Sequence, residues 1–286
     1  MFVGNEDDIL EQSIRHNIRY LDQLTVVLDF KSVDGSREIL ENLISEGLPI
    51  NITFRPAELD LDFRSSFVNQ KNAWAYVFID NDEFICGLEP KDLRNIIFNR
   101  VDPTFIAIPW KTFVINPRDF DCSDIPRSLK YARKFEEPKF YKAIYIRCNS
   151  KQPHKIGAGA HSVLGLAGIT FGNLMLAHYP VRSVKQLTLK YFASNLDYTI
   201  LFKNNIPKGY GFQQKEGFKK LVNGVFLGPE SLYVESMLYS SSRQNFSEED
   251  IEELIIDLVY TKSIKIKELP TVQLLAKMID AFGKCI

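Results

Sequence analysis

Residues 24–54 read LTVVLDFKSVDGSREILENLISEGLPINITF, and this stretch decides the fold class. The β-branched apolar run LTVVL ends in a turn-rich segment, KSVDGS, which opens a helical pattern that Gly47 can end. An extended segment, PINITF, follows. Because strand and helix signals alternate, with helices of about ten residues, the stretch predicts a doubly wound, mainly parallel sheet flanked by helices.

The chain on either side continues this alternation. Residues 9–21 carry apolar side chains at a helical spacing, and AWAYVFID (73–80) is a second buried strand. The two clear strands end in acidic, turn-forming residues, at Asp29 and at Asp80-Asn81-Asp82. Open parallel sheets bind ligands beyond the carboxyl ends of their strands. We therefore expect both acidic groups to lie at one edge of the sheet.

The rest of the chain is less regular. Prolines interrupt residues 86–150, where IAIPWKTFVI (106–115) and FYKAIYIRC (140–148) are strand-like. A glycine-rich segment (151–161) and a pair of short apolar strands lead into a part that is predicted to be helical from Ser183 onward. There Ser247 and Asp250 have the spacing of a capping box, which predicts a helix continuing through IEELIIDLVY.

The composition excludes several classes of protein. Of 286 residues, 45% are hydrophobic and 25% charged, which is ordinary globular usage. The net charge of −1 offers no basic surface for a nucleic acid, so we expect no nucleic-acid partner. The four cysteines form no CxxC pair, which argues against a structural zinc site and fits reduced thiols. The sequence shows no signal-peptide pattern and no apolar run of about 18 residues, so we expect a cytoplasmic protein, with contact at the inner face of a membrane left open.

The Asp80-Asn81-Asp82 segment can serve as a metal site. Carboxylates in a turn repel each other unless a cation lies between them, and Mg²⁺ and Mn²⁺ prefer oxygen ligands together with substrate phosphates. A solvated acidic turn is the alternative, since Asp and Asn favour turns in any case. The buried strand before Asp80 and the aromatic Phe84 after the turn favour the metal site.

Several segments together resemble the family 2-like and family 92-like glycosyltransferases of the GT-A fold. Asn5-Glu6, a helix with His16, and VLDFKSVDGSREIL (27–40) are similar to the opening of that family. AWAYVFIDNDEFI (73–85) is similar to its element in which a tryptophan precedes D-x-D-E-F. Trp110 with Phe113, and LAHYPVRSVKQLTLK (176–190), resemble later elements. The matches follow the family's order over residues 3–192, and the last hundred residues carry none.

The resemblance implies roles for particular residues. Asp80 and Asp82 would bind Mn²⁺ or Mg²⁺, which bridges the diphosphate of a nucleotide-sugar donor. The resemblance implies a UDP-sugar as that donor. Asp29 and Asp34 would lie in the nucleotide pocket, where one accepts from the base. The implied nucleotide-sugar-binding set is Asn5, Glu6, Asp29, Asp34 and Asp80. A plain turn and helix start also explains Asp34-Gly35-Ser36, and the two interpretations are compatible.

A histidine is expected to complete the metal shell, because a neutral imidazole is a common ligand. His178 and His161 are the candidates, with His178 preferred since it follows an apolar strand, whereas His161 ends a glycine-rich loop. A structural histidine is the alternative for either. Scattered basic residues could contact the diphosphate or be solvated surface: Arg147, Lys155, Arg182 and Lys185.

An inverting transferase also needs a carboxylate that takes the proton of the acceptor hydroxyl. The candidates are Asp119, Asp121, Asp124, Glu136 and Glu137, and no motif chooses among them.

The sequence thus predicts a GT-A-like catalytic domain (1–192) and a mainly helical C-terminal extension (193–286) packed on it. The expected reaction is metal-dependent transfer of a sugar from a nucleoside-diphosphate donor to a hydroxyl of a surface glycan or glycolipid precursor. Two alternatives stay open. One is another metal-dependent nucleotide enzyme, a nucleotidyltransferase or phosphohydrolase, and the other is a non-catalytic nucleotide-sugar-binding protein.

Overall fold

Residues 24–54 form the predicted strand, helix and strand. These are β2 (Leu24–Leu28), α2 (Ser36–Ser45) and β3 (Ile50–Phe54), and Gly47, at φ +90°, follows the helix. With β1 (Phe2–Val3) they make a parallel three-stranded sheet in the order β1-β2-β3. This computed structural model describes residues 1–29, 31–54, 63–70, 73–100, 104–116, 129–137, 141–147, 154–196, 212–224, 229–243, 245–258, 264–266 and 269–283.

A larger, eight-stranded sheet lies beside the first. Its strands are β4 (Ala75–Val77), β5 (Glu83–Cys86), β6 (Thr104–Val114), β7 (Tyr131–Arg133), β8 (Tyr141–Ile146), β9 (Gly168–Ile169), β10 (Met175–His178) and β11 (Ile251–Glu253). The long strand β6 pairs with β8 over its first half and with β10 and β7 over its second half. A single parallel bridge between Phe2 and Asp80 connects the two sheets.

The chain is therefore mixed α/β, as predicted, but the mainly parallel order holds only for the small sheet. In the larger sheet, β4–β8, β6–β8, β6–β7, β5–β10 and β7–β11 are antiparallel, and β6–β10 and β6–β9 are parallel. Parallel neighbours need a long crossover, usually a helix. The strands β6 and β8 run antiparallel, whereas the parallel strands β6 and β10 are joined by a long connection (115–174).

The helices lie before, between and after the strands. They are α1 (Leu10–Asn17), α3 (Phe63–Gln70), α4 (Pro90–Phe98), α5 (Val184–Leu196), α6 (Phe212–Val222), α7 (Pro229–Leu238) and α8 (Thr271–Gly283), besides α2. The predicted helix at 9–21 is confirmed as α1 followed by a 3₁₀ turn, Ile18–Tyr20. Within the ranges given above, every helix is too short or too polar to cross a bilayer.

The C-terminal part departs from the sequence-based expectation. The capping box of Ser247 and Asp250 forms, but it starts only a 3₁₀ turn, Glu248–Asp250. The chain then enters β11, which pairs with β7, so the predicted helix through 251–260 is wrong where the structure describes it. Tertiary pairing of Ile251–Glu253 with an open strand edge outweighs the local helical signal. The predicted boundary at 192/193 falls inside α5, which the two predicted units therefore share.

Apolar packing joins the C-terminal elements to the sheet. One cluster buries Phe84, Phe113 and Tyr179 against Leu187 of α5 and Leu232 of α7. Another packs Leu189 of α5 against α8, with Val33 of the DGS turn at its side. The turn after β2 is thus covered by the C-terminal region.

Candidate metal and nucleotide site

The turn after β4 and the end of β10 bring a carboxylate and an imidazole together. β5 and β10 pair with His178 opposite Glu83, and the Tyr179 N–H donates to the Asp82 carbonyl oxygen at 2.8 Å. Asp82 is 4% and His178 3% exposed. His178 Nε2 lies 3.8 Å from Asp82 Oδ1, which is too long for a hydrogen bond. Two ligands of one divalent cation can have this separation, since each metal–ligand bond is about 2.1 Å.

His178 is neutral, as a metal ligand must be. Burial lowers its pKa to about 3, although Asp82 opposes that effect. The ring lies against Trp110, with the ring centroids 4.3 Å apart. Nδ1 has no hydrogen-bond partner among the residues that the structure describes. With its proton on Nδ1, the imidazole turns the Nε2 lone pair toward the space beside Asp82.

Two basic side chains approach the other oxygen of Asp82. Arg182 Nη1 lies 3.6 Å and Lys190 Nζ 3.7 Å from Asp82 Oδ2. Arg182 is fully buried and binds Asp8 through two hydrogen bonds, of 2.7 and 3.0 Å. Lys190 instead donates to the Tyr239 hydroxyl at 3.3 Å. Arg182 is therefore paired with Asp8. Of the two basic side chains, Lys190 is the better placed to bind an anionic ligand.

Asp80 is held by a different cation. Lys142 Nζ donates to Asp80 Oδ2 at 2.7 Å and lies 3.6 Å from Glu83 Oε1. Burial alone would raise the pKa of Asp80, but the Lys142 ammonium outweighs it and holds that pKa well below its ordinary value. The Asp80 side chain is still 42% exposed, so a ligand can reach it. Asp82 thus faces His178, whereas Asp80 faces Lys142, and the two predicted metal ligands have different surroundings.

Glu6 adds a third carboxyl group beside Arg182. Glu6 Oε1 lies 3.9 Å from Arg182 Nη2, and burial raises the pKa of Glu6 to about 8. Burial thus favours the protonated form of Glu6, although the Arg182 charge opposes it. The charges of Asp8 and Asp82 then balance those of Arg182 and Lys190. A divalent cation would leave this cluster positive, and a bound diphosphate would restore the balance.

The side chains of Asn5 and Asp34 form hydrogen bonds within the local turn. Asn5, at φ +57°, accepts from the Val33 N–H at 2.9 Å. Asp34 accepts from the backbone N–H groups of Asp7 and Ser36, at 2.8 and 3.0 Å, with one oxygen each. The turn-and-helix-start interpretation accounts for these contacts, and direct binding of a nucleotide by either side chain stays a prediction.

Asp29 lies at the predicted common edge. Its N–H donates to the Val3 carbonyl oxygen on β1 at 2.8 Å, and Phe2 of β1 bridges to Asp80. β1 therefore lies between the two acidic groups. The Asp29 carboxylate accepts from the Lys31 N–H at 2.9 Å and its side chain is 18% exposed.

His161 also packs against Trp110. The His161 and Trp110 ring centroids are 5.4 Å apart, and His161 Nδ1 is 2.5 Å from the Tyr141 carbonyl oxygen. The neighbouring Gly159 has φ +64° and its carbonyl oxygen accepts from Lys142. The structure thus places His178 beside Asp82, and His161 beside Trp110 and the Tyr141 carbonyl oxygen.

The candidates for a general base fall into two groups. Asp119, Asp121 and Asp124 lie outside the described residues. Glu136 accepts from the Thr112 N–H and from Arg133, each at 2.6 Å, and Glu137 accepts from the Ser242 N–H at 2.8 Å. Both glutamates therefore form structural hydrogen bonds, and these contacts give no support for a role as general base.

Three residues at the site carried no predicted role: Lys142, Lys190 and Tyr239. Lys142 could have been identified from the sequence, because it is a charged residue within the apolar strand FYKAIYI. A buried lysine needs a carboxylate partner. Lys190 ends the segment at 176–190 that resembles the glycosyltransferases, but only the fold brings it to Asp82. Nothing in the sequence around Tyr239 distinguishes it. Of the basic candidates, Arg182 lies at the site, whereas the Arg147 N–H bonds to Trp74, before the start of β4.

A cavity of about 930 Å³ lies beside β1, β2, β3 and β4. Leu24 at the start of β2 and Trp74 before β4 line it, together with aromatic side chains such as Phe67 and Phe98. None of Asp29, Asp80, Asp82 or His178 lines this cavity. Its apolar character separates it from the polar cluster at the carboxyl ends.

Asp82 and His178 could supply two ligands to a divalent cation. Across the described ranges, no three His, Cys, Asp or Glu side chains are arranged to hold a metal ion. Remaining ligands would come from substrate oxygens and water, which is common for Mg²⁺ and Mn²⁺. In comparisons with known proteins, no family model matches this chain, and no curated protein is significantly similar to it.

Proposed function

We propose that this chain is a metal-dependent glycosyltransferase with a GT-A-like fold, which transfers a sugar from a nucleoside-diphosphate donor, UDP-sugar in the first instance, to a hydroxyl acceptor with inversion. The observation that carries the proposal is the Asp82–His178 pair, 3.8 Å apart and flanked by two cations at Asp82 Oδ2. A carboxylate, a neutral imidazole and neighbouring cations suit a divalent metal bound together with a diphosphate.

The position of the pair supports a nucleotide ligand. Asp29 and Asp80 flank β1 at the carboxyl edge of the parallel strands, where ligands of α/β sheets bind. Asp80 keeps a partly exposed side chain at this edge. A nucleoside lying along the edge would bring its phosphates toward Asp82, which is two residues from Asp80.

Each side chain then has a distinct task in sugar transfer. When bound, the metal would neutralise charge on the departing diphosphate. Asp82 and His178 would hold that metal, and Lys142 orients Asp80 through its 2.7 Å ion pair. Lys190 offers a cation beside the same carboxylate. A glycan or glycolipid precursor as acceptor, and a cytoplasmic site of action, belong to the proposal through the resemblance to the glycosyltransferases.

Product analysis over a panel of nucleotide sugars tests the proposal. The protein is incubated with Mn²⁺, each donor and simple hydroxyl acceptors, and the nucleotide products are separated by chromatography. We expect release of a nucleoside diphosphate, and loss of that release in Asp82→Asn but not in the control Asp92→Asn, whose carboxylate is exposed on α4. Release of pyrophosphate or phosphate would favour the nucleotidyltransferase or phosphohydrolase alternative. Binding without any product would favour the non-catalytic one.

A further inference from the structure

Lys190 is held between two oxygen atoms. Its Nζ lies 3.3 Å from the Tyr239 hydroxyl and 3.7 Å from Asp82 Oδ2. A direct ion pair between these groups would be closer to about 2.8 Å. The lysine side chain is 20% exposed, and its ammonium lies 5.0 Å from the centroid of the Tyr239 ring. Lys190 is thus close to Asp82 without forming a tight pair with it.

The backbone that carries Tyr239 is fixed from the sheet side. Arg133 Nη1 donates to the carbonyl oxygens of Met237 and Tyr239, at 3.1 and 2.8 Å. Ser240 has φ +52°, a conformation that a non-glycine residue adopts only when its surroundings impose it. Glu137 binds the N–H of Ser242 just beyond. These contacts fix the position of Tyr239, which the C-terminal region contributes to the site.

Tyr239 also touches the imidazole. Its ring meets His178 edge-on, with centroids 5.7 Å apart and the planes at 68°. One side chain therefore contacts both the proposed metal ligand and the lysine that lies beside the other ligand.

We propose that Tyr239 is a positioning residue that keeps Lys190 from pairing tightly with Asp82 and so leaves that carboxylate available to a divalent cation. This inference rests on the proposed function, in which Asp82 and His178 bind the metal. Without the hydroxyl, the Lys190 ammonium loses one of its two oxygen contacts and moves onto Asp82. A lysine and a metal ion then compete for the same carboxylate, and metal affinity falls.

The test is Mn²⁺ binding to the whole chain in the absence of nucleotide, measured by electron paramagnetic resonance of free Mn²⁺. We expect Tyr239→Phe to bind Mn²⁺ about tenfold more weakly, the size of one charge-assisted hydrogen bond. Adding Lys190→Met to this variant should restore at least the wild-type affinity, because the competitor is gone. The matched control is Tyr233→Phe on α7, the helix that directly precedes Tyr239, and it should bind as the wild type does.

Two outcomes would overturn the positioning role. Tyr239→Phe could bind Mn²⁺ as tightly as the wild type, or the double variant could stay as weak as the single one. If Tyr239→Phe fails to fold, Lys190→Met alone decides: we expect affinity at or above that of the wild type, and a clear loss contradicts the proposal. A wild-type protein that binds no Mn²⁺ with or without UDP would instead overturn the proposed function, and this inference with it.

Discussion

His178 Nε2 lies 3.8 Å from Asp82 Oδ1, and the pairing of β5 with β10 fixes this distance. If both atoms bind one metal ion, His178→Ala removes one of two protein ligands. We expect it to weaken Mn²⁺ binding, with UDP present, by about 100-fold, at the upper end of effects seen around metal sites. His161→Ala is the matched control, since His161 packs on the same Trp110 and lies against the Tyr141 carbonyl oxygen, and it should change the affinity less than about threefold.

The burial of His178 also determines how metal binding should depend on pH. An ordinary histidine would predict that metal binding weakens below about pH 6.5. Burial lowers the pKa of His178 to about 3, so the imidazole stays neutral from neutral pH down to that value. Proton competition at His178 should therefore be absent between pH 7 and 5. A loss of Mn²⁺ affinity over this range that disappears in His178→Ala would contradict the structure.

Lys142 stabilises two carboxyl groups at once, Asp80 at 2.7 Å and Glu83 at 3.6 Å. The Lys142 side chain is 3% exposed, so Lys142→Met leaves Asp80 without its partner. We expect the free energy of unfolding in urea to fall by about 1–2 kcal/mol, less than the roughly 3–5 kcal/mol of a fully buried pair, because solvent reaches the partly exposed Asp80. Lys219→Met, which breaks an exposed pair with Glu216, is the control and should cost less than about 0.5 kcal/mol. Equal costs for the two variants would argue against the buried pair.

Asp7 links stability to pH. Burial, followed by the neighbouring Asp34, raises its pKa from 3.8 to about 6. Because the folded state binds the proton more tightly, its contribution to stability is present below about pH 4 and is lost as the pH rises to about 6. Asp7→Asn cannot titrate and can still accept from the Gly35 N–H. We expect the variant to gain on the order of 1–3 kcal/mol over the wild type at pH 7 and little at pH 4, measured by urea unfolding.

The control for this prediction is Asp92→Asn, whose side chain is exposed. It should leave the difference in unfolding free energy between pH 4 and 7 unchanged. If Asp7→Asn keeps the wild-type difference as well, Asp7 is not the group responsible.

Gly35 contacts the C-terminal segment. A Cβ atom at this position would lie 2.4 Å from Ile266 Cδ1, although φ of −74° suits any residue. Gly35→Ala should therefore lower the free energy of unfolding by about 1–3 kcal/mol through overpacking. The cost should shrink in an Ile266→Ala background, because the clashing atoms are gone. Strictly additive effects in this double-mutant cycle would show that the two residues do not touch.

Local sequence patterns predicted the first helices and strands of the chain. They failed where pairing with a strand distant in sequence determines the structure. β2, α2 and β3 follow from the apolar runs, the DGS turn and Gly47, which are all local signals. The strand β11 could not be predicted in this way. The local sequence of Ile251–Glu253 indicates the start of a helix, and pairing with β7 makes it a strand instead. The antiparallel order of the larger sheet likewise depends on how Pro-interrupted segments fold back, which periodicity does not encode.

The candidate site was partly predictable for the same reason. Asp29, Asp80 and Asp82 follow strands, so their common edge could be derived from alternation alone. The sequence preferred His178 to His161 as a metal ligand, and that preference stays a prediction; the 3.8 Å between His178 and Asp82 depends on the pairing of β5 with β10. Lys190 and Tyr239 lie 108 and 157 positions after Asp82 in the sequence, and only the packing of α5 and α7 brings them to the carboxylate.

Calorimetric titration of UDP with and without Mn²⁺ tests the central claim most directly. The claim is that Asp82 binds a metal ion that in turn binds a diphosphate. We predict that UDP binds the wild type at least tenfold more tightly with Mn²⁺, about 1.4 kcal/mol, and that Asp82→Asn removes this gain while Asp92→Asn keeps it. An equal gain from Mn²⁺ in wild type and Asp82→Asn would contradict the account.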